Sequence, residues 1–456
     1  MVKRSLSEAL ATNLMQNAQA VATETLEISG WVSRIRGKRL WTHPVTQNLL
    51  AISIVQAGNN AVPLLTVPYL TRVLGPTGWG LFGFAQSFAI SLGLVAEYGF
   101  WLSGSREVAR HRDDRVMLGK IVAGVMGAKT MLAVGAVLIA FLLKPTIPIF
   151  RQHPGLLWAA VFWSVSQGFN MMWYYQGLER MWRMASFDIF FKTAAIAATF
   201  LLVRGPGDES KALALGGVGW FVSAVVTAAI AYREVGFRWP TLLLSWNALR
   251  MGWSLFLFRA AVSLYTSANG FVLGFFAIPA QVGYYAGAEK ISKGLLAPLS
   301  PLGQALLPRI TYLAASSRDR AARLAKMSVV VMGVGGLLLG ACAFLLSPLI
   351  VRVTLGPAYQ PAVPVLRVLA GLVPSIALSN ALGIQWMLPL GLDSTLNRII
   401  LGAGLLNVVL AVLLAPRFAQ IGMAWAVLAS EVFVTAGIYI ALRRRHLDPL
   451  VSSRNS

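Results

Sequence analysis

Residues 68–86 read PYLTRVLGPTGWGLFGFAQ. A single charge, Arg72, precedes Gly75-Pro76, and Gly78, Gly80 and Gly83 follow. The stretch divides two long apolar runs. Proline lacks the amide that a continuing helix needs, and glycine enters the backbone conformations of tight turns. The segment therefore predicts the short turn of a helical hairpin, with Gly75-Pro76 and Gly78 ending one helix and starting the next.

The rest of the chain has the same character. Of 456 residues, 57% are hydrophobic and 12% charged, against about 25% charged in a soluble domain. A soluble protein of this size has no means of hiding so much apolar surface, which points to a polytopic membrane protein. The net charge of +22 does not indicate nucleic acid, because Lys and Arg cluster in short segments between apolar runs. Cys342 is the lone cysteine, so an intrachain disulfide is excluded. His43, His111, His153 and His446 lie in separate segments without ligand spacing, so no metal and no cofactor is expected. GVGGLLLG (333–340) follows no strand, and its Gly336 and Gly340 read as close helix packing. Residues 1–45 hold Glu8, Glu24 and Glu27 and end in the basic segment RIRGKRLW (34–41). They lack a signal-peptide apolar core and read as a cytoplasmic extension.

A crossing helix needs about 20 apolar residues. Twelve runs qualify: 48–71, 79–104, 118–142, 155–176, 184–203, 212–232, 249–275, 281–307, 327–350, 362–388, 396–415 and 420–442. With both termini in the cytoplasm, 27 Lys and Arg fall in inner segments and 7 in outer loops, which the positive-inside rule favours. The opening phrase also returns. Gly80-Leu81-Phe82-Gly83-Phe84-Ala85-Gln86 aligns with Gly283-Tyr284-Tyr285-Ala286-Gly287-Ala288-Glu289, and both phrases open an even-numbered helix after a short outer turn. The fold expected is all-α, with two six-helix lobes (46–240 and 241–445) related by a parallel repeat, a central cavity between them, and a cytoplasmic tail over 446–456.

Three further stretches sharpen this reading. VPLLTVPYLTRVLGPTGWGLFGFAQSF (62–88), followed by EYGF (97–100) and SREVARHRDD (105–114), resembles the start of the polysaccharide transporter family. WYYQGLERMWRMASFDIFFKT (173–193) and GYYAGAEKISK (283–293) resemble that family's phrases after the fourth helix and at the eighth. These proteins are lipid-linked oligosaccharide (O-antigen unit) flippases of the multidrug/oligosaccharidyl-lipid/polysaccharide exporter superfamily. The resemblance runs over about residues 46–445. It implies transport of undecaprenyl-pyrophosphate-linked oligosaccharide across the bacterial inner membrane for O-antigen, capsule or exopolysaccharide, and a charged central cavity. Membrane lipids and polymerase machinery are the partners it implies. No catalytic residues are expected.

Ionisable residues at membrane depth are costly and usually face a cavity or a partner. The cations are Lys129, Arg259, Lys290, Lys293 and Arg367; the acids are Glu97, Glu289 and Glu431, with Asp188 nearer the inner edge. Five cations in a low-dielectric wall suit a pyrophosphate head group, since Arg grips phosphate oxygens in pairs and Lys acts as a point charge. A multidrug exporter of the same fold, taking cationic drugs, would want a net acidic cavity. The structural alternatives are snorkelling of Arg367, a Lys129–Glu97 pair, and neutralisation of Lys290 and Lys293 by Glu289 and Glu431. Glu97, Glu289 and Glu431 are also the candidates for proton coupling. Trp101, Trp163, Trp173, Tyr174, Tyr175, Tyr284 and Tyr285 read first as packing or interface aromatics and second as sugar-stacking surfaces.

Overall fold

The computed structural model describes residues 44–450. The extension expected over 1–45 lies almost wholly outside the described residues, as does the tail beyond Leu450. Among the described residues every regular element is helical.

The first two predicted runs form one hairpin, α1 (Pro44–Glu97), folded at Gly75. Gly75 has φ +68°, a left-handed value that glycine adopts without the steric cost of a Cβ. Pro76 then opens the second limb, where its missing amide costs nothing. Gly78 lies within that limb, so the turn is tighter than expected. The second predicted run also breaks sooner. Glu97 ends the helix, Tyr98 and Gly99 take φ +50° and +76°, and α2 (Phe100–Arg110) begins afresh.

α3 (Arg115–Thr146), α4 (Pro154–Gly168), α5 (Met181–Leu202), α6 (Glu209–Val235) and α7 (Leu242–Thr266) supply the third to seventh runs. The eighth run divides into α8 (Pro279–Gly294) and α9 (Ser300–Ser316) around a short 3-10 segment, where Pro298 and Pro301 interrupt helical bonding. α10 (Arg318–Leu345) is the ninth. The tenth is segmented into α11 (Val363–Ala370), α12 (Leu372–Ser379) and a π-helical stretch, Asn380–Met387. α13 (Asp393–Arg444) holds the last two runs and folds back at Ala419, φ +45°. Helix thus occupies each of the twelve predicted runs. Seven helical segments are long and apolar enough to cross a membrane. Of the first run only residues 66–71 fall within those seven segments, and the fourth, seventh and eighth runs lie outside them; α4 is short at 15 residues, and α7 and α8 carry the charges discussed below. Phe141, Leu142, Phe190, Leu338 and Leu405 are exposed on the long helices, as lipid-facing residues should be.

Gly80 and Gly283, equivalent in the repeat, meet at the crossing of α1 and α8. A Cβ on Gly80 would lie 1.7 Å from the Pro279 carbonyl oxygen, and one on Gly283 would lie 2.2 Å from that of Pro76. Pro76 and Pro279 are themselves equivalents at the same offset. A Cβ on Gly83 would come within 3.0 Å of the Cβ of its own equivalent, Ala286. This mutual pattern, i on j and j on i, is the mark of a two-fold relation. Two further bonds join the halves at the same end. The Tyr359 hydroxyl donates to the Thr71 carbonyl at 3.1 Å, and Arg72 donates to the Val353 carbonyl.

The apolar core follows this arrangement. One cluster includes Leu74, Trp79, Phe84, Val282, Tyr285 and Leu366, and so draws on both halves near the Gly75 turn. Towards the opposite, basic ends of the helices there are two separate clusters. One gathers Phe100, Val122, Trp173 and Tyr175; the other gathers Ile310, Met332, Trp386 and Ile438. The halves share a core at one end and have their own at the other. Gly336 and Gly340 pack as expected, since a Cβ on either would come within 2.8 Å of Ala377 Cβ or the Ala370 carbonyl oxygen.

Candidate functional site

α8 carries Glu289, Lys290 and Lys293 into the space between the halves. Lys293 Nζ donates to Glu289 Oε1 at 2.9 Å and to the Thr266 carbonyl at 2.6 Å. The Tyr285 hydroxyl, fully buried, donates to the same carboxylate oxygen at 3.3 Å. Lys293 is therefore neutralised, as the i, i+4 spacing allows. Lys290 is not. Its Nζ donates to the amide oxygen of Gln86 at 3.0 Å, across the two halves, and no carboxylate lies within ion-pair distance of it among the described residues. Glu431, the other acid expected to compensate the lysines, instead accepts a 2.7 Å bond from Ser379.

Lys290 and Lys293 line a cavity of about 530 Å³ with Gly294, Gln304, Met332, Asn380 and Gln385. This volume lies within the range of small-molecule sites, about 300–1,000 Å³. Its depth follows from helix geometry. Gln86 is ten residues from Pro76 and Lys290 eleven from Pro279, which at 1.5 Å per residue puts both about 15–16 Å from the turn end. That is close to half of a hydrocarbon core about 30 Å thick.

A second pocket of about 280 Å³ is lined by Glu97, Gln167, Arg259, Ser263 and Thr266. It adjoins the first through Thr266, whose carbonyl receives Lys293. Arg259 Nη1 is 2.5 Å from Glu97 Oε2, and Glu97 Oε1 accepts the Trp101 amide at 2.8 Å. Gln167 Oε1 and Ser263 Oγ are buried without a hydrogen-bond partner, so both remain available to a polar ligand. Glu97 lies 21 residues past Pro76, about 31 Å along the helix, well towards the basic end.

Two expected placements differ. Lys129, expected among the cavity cations with a Glu97 pair as the alternative, donates to the Asn170 carbonyl at 3.1 Å and sits 5.9 and 5.8 Å from the Phe100 and Trp173 rings. It is 1% exposed and belongs to the packed interior of the first half, because Arg259 already occupies Glu97. Arg367 is exposed and borders a different groove, with Phe344 and Trp425; its face of α11 turns away from α8. Trp173, Tyr174 and Tyr175 are buried among their own half's apolar residues.

The sequence reading missed one polar cluster. Asp188, 2% exposed, accepts from Lys192 at 2.6 Å, Ser223 at 2.7 Å and Asn170 at 3.2 Å. Lys192 Nζ lies 3.3 Å from the centre of the Trp220 ring. The i, i+4 spacing of Asp188 and Lys192 was the available signal; Asp188 alone was read, near the inner edge, without its partner.

Comparison with known proteins agrees with this arrangement. Residues 45–314 match the family described as polysaccharide biosynthesis protein. A protein of Escherichia coli (strain K12) named as an O-antigen transporter is 30% identical, over 88% of this chain and 97% of its own length. One from Shigella dysenteriae with the same name is 26% identical, over 85% and 97%. Among solved structures, the lipid II flippase MurJ in an inward closed conformation aligns with a TM-score of 0.61 at 12% identity, covering 87% of each chain. An inward-facing multidrug resistance MATE family transporter of the MOP superfamily aligns at 0.59 and 15%, covering 85% of this chain and 98% of its own. At such identities these likenesses establish the fold. The match over 45–314 and the extent of the similarity to the E. coli protein together place the chain in the polysaccharide biosynthesis protein family.

Proposed function

We propose that the chain is a flippase that moves undecaprenyl-pyrophosphate-linked oligosaccharide units from the inner to the outer leaflet of the bacterial cytoplasmic membrane. The observation that carries this reading is Lys290, a cation at half depth between the halves, held by a neutral amide and lining a cavity. An uncompensated charge there is expensive, and a pyrophosphate supplies the missing anion. Lys293, Arg259 and the unpartnered Gln167 and Ser263 offer further contacts to the head group and its sugars. The names of the E. coli and Shigella relatives support an O-antigen unit as cargo, and MurJ supports a lipid-linked one.

Alternating access then follows from the divided core. With residues 46–240 and 241–445 as lobes joined at the Gly75 end, the path opens towards the basic ends. The head group enters there, binds Lys290, and leaves when the lobes part at the glycine crossing, while the prenyl tail stays in lipid. Both termini lie in the cytoplasm in this orientation. Glu97 and Glu289 are committed to ion pairs, so Glu431 is the acid best placed for proton coupling. A multidrug exporter of the same fold fits less well, because the cavity beside Lys290 carries two lysines on its wall.

The test is complementation of a bacterium lacking its own oligosaccharide flippase but making a compatible glycan. Wild type should restore surface glycan, and well-expressed Lys290→Ala and Arg259→Ala should not. Restoration by all three would remove these residues from the substrate path.

A further inference from the structure

The second half carries a groove that this path does not use. α10, α11, α12 and α13 enclose about 360 Å³ on the outside of the half, walled by Leu337, Gly340, Phe344, Pro374 and Trp425. Arg367 is the one charged residue lining it. Its Nε donates to Ser347 Oγ at 3.1 Å, and Ser347, fully buried, donates in turn to the Phe344 carbonyl at 2.9 Å. The Phe344 ring lies 5.8 Å from the guanidinium carbon. Held by Nε and by the ring, the guanidinium has no carboxylate partner among the described residues, and neither terminal nitrogen has a hydrogen-bond acceptor there. A bare snorkelling arginine would not need a buried serine to aim it.

The depth of the groove is informative. Ser347 opens a short helix that leads to Val353, whose carbonyl holds Arg72 near the Gly75 turn. Arg367 is therefore at the Gly75 end of the membrane span. From Phe344 the groove follows α10 back to Leu337, seven residues or about 10 Å, which lies within one leaflet's share of a hydrocarbon core about 30 Å thick.

We propose that this groove holds a glycerophospholipid of the leaflet at the Gly75 end. Its phosphate sits on the two terminal nitrogens of Arg367, and one acyl chain runs along Phe344, Gly340 and Leu337. Charge and polarity both match: a planar guanidinium takes two phosphate oxygens at once, and the apolar walls below it receive the part of an acyl chain nearest the head group. The site is independent of the transport path.

The experiment is native mass spectrometry of the purified, delipidated full chain titrated with dioleoylphosphatidylglycerol. Wild type should show one saturable adduct. Arg367→Gln should weaken it about tenfold or more, because the charge-assisted pair is lost. Ser347→Ala, which keeps the charge but not its aim, should weaken it about threefold, and gives a second reading should Arg367→Gln fold poorly. Arg398→Gln, at an exposed arginine elsewhere, should change nothing. Unaltered binding by Arg367→Gln and Ser347→Ala would overturn the site. Displacement by inorganic phosphate alone would reduce it to an anion site. Displacement by undecaprenyl phosphate at lower concentration than the phospholipid would make the occupant the carrier lipid and overturn the assignment.

Discussion

Lys290 reaches across the two halves to Gln86, and Gln86 is the repeat counterpart of Glu289. The second half has a carboxylate where the first has an amide. That difference leaves Lys290 facing a neutral amide across the halves. Gln86→Glu should supply the missing acid, pair Lys290 and lower flipping about tenfold or more, since a neutralised lysine no longer seeks a pyrophosphate. Surface-glycan restoration at matched protein amounts is the measurement. Full restoration by Gln86→Glu would show that the charge of Lys290 is irrelevant to transport.

Gly80 and Gly75 separate two reasons for glycine. Gly75 has open space around it and a positive φ, so Gly75→Ala should cost about 1 kcal/mol of backbone strain. At Gly80 the added carbon would lie 1.7 Å from the Pro279 backbone oxygen, and the two helices must move apart. Gly80→Ala should lower the melting temperature more than Gly75→Ala. It should also raise maleimide labelling of a cysteine placed at Thr71 in a Cys342→Ser background. Equal melting temperatures and unchanged labelling would mean the crossing has slack.

Asp188 tests whether buried charge here is structural. Asp188→Ala strands Lys192, and breaking one partner of a buried pair costs about 3–5 kcal/mol. The expected result is a large fall in thermal stability, with transport per folded molecule unchanged. A stable variant with lost transport would instead move Asp188 into the mechanism.

Glu97 and Arg259 form a pair that serves either to brace α7 or to touch substrate. The swapped variant, Glu97→Arg with Arg259→Glu, keeps the brace and reverses the polarity of the pocket. Protein yield should recover relative to either single change, while surface glycan should not. Recovery of both would assign the pair to bracing alone.

The turn at Gly75, the twelve apolar runs and the repeat were all legible in sequence, because each rests on local chemistry: a Gly-Pro pair, hydropathy, a recurring phrase. The partner of each charge was not. Lys293 with Glu289 follows from spacing on one helix, whereas Arg259 with Glu97 joins residues 162 positions apart and depends on how α7 leans on the end of α1. Arg367 was grouped with the cavity cations because depth is readable from sequence and azimuth on a fragmented helix is not. The break at Tyr98-Gly99 was missed for a similar reason: a single glycine in an apolar run is ambiguous until its φ is known.

The reciprocal seat of Pro76 and Gly80 on Pro279 and Gly283 also bears on ancestry. Each half brings the same Pro-x-x-x-Gly segment to the same place, and each is both knob and socket. Two copies of a six-helix chain with that segment would make the identical contact by rotation alone, side by side and equally oriented in the membrane. Fusion of the genes would have had to invent no interface. At this seat a substitution in one half collides with the backbone of the other, a constraint that a fused pair of copies would keep.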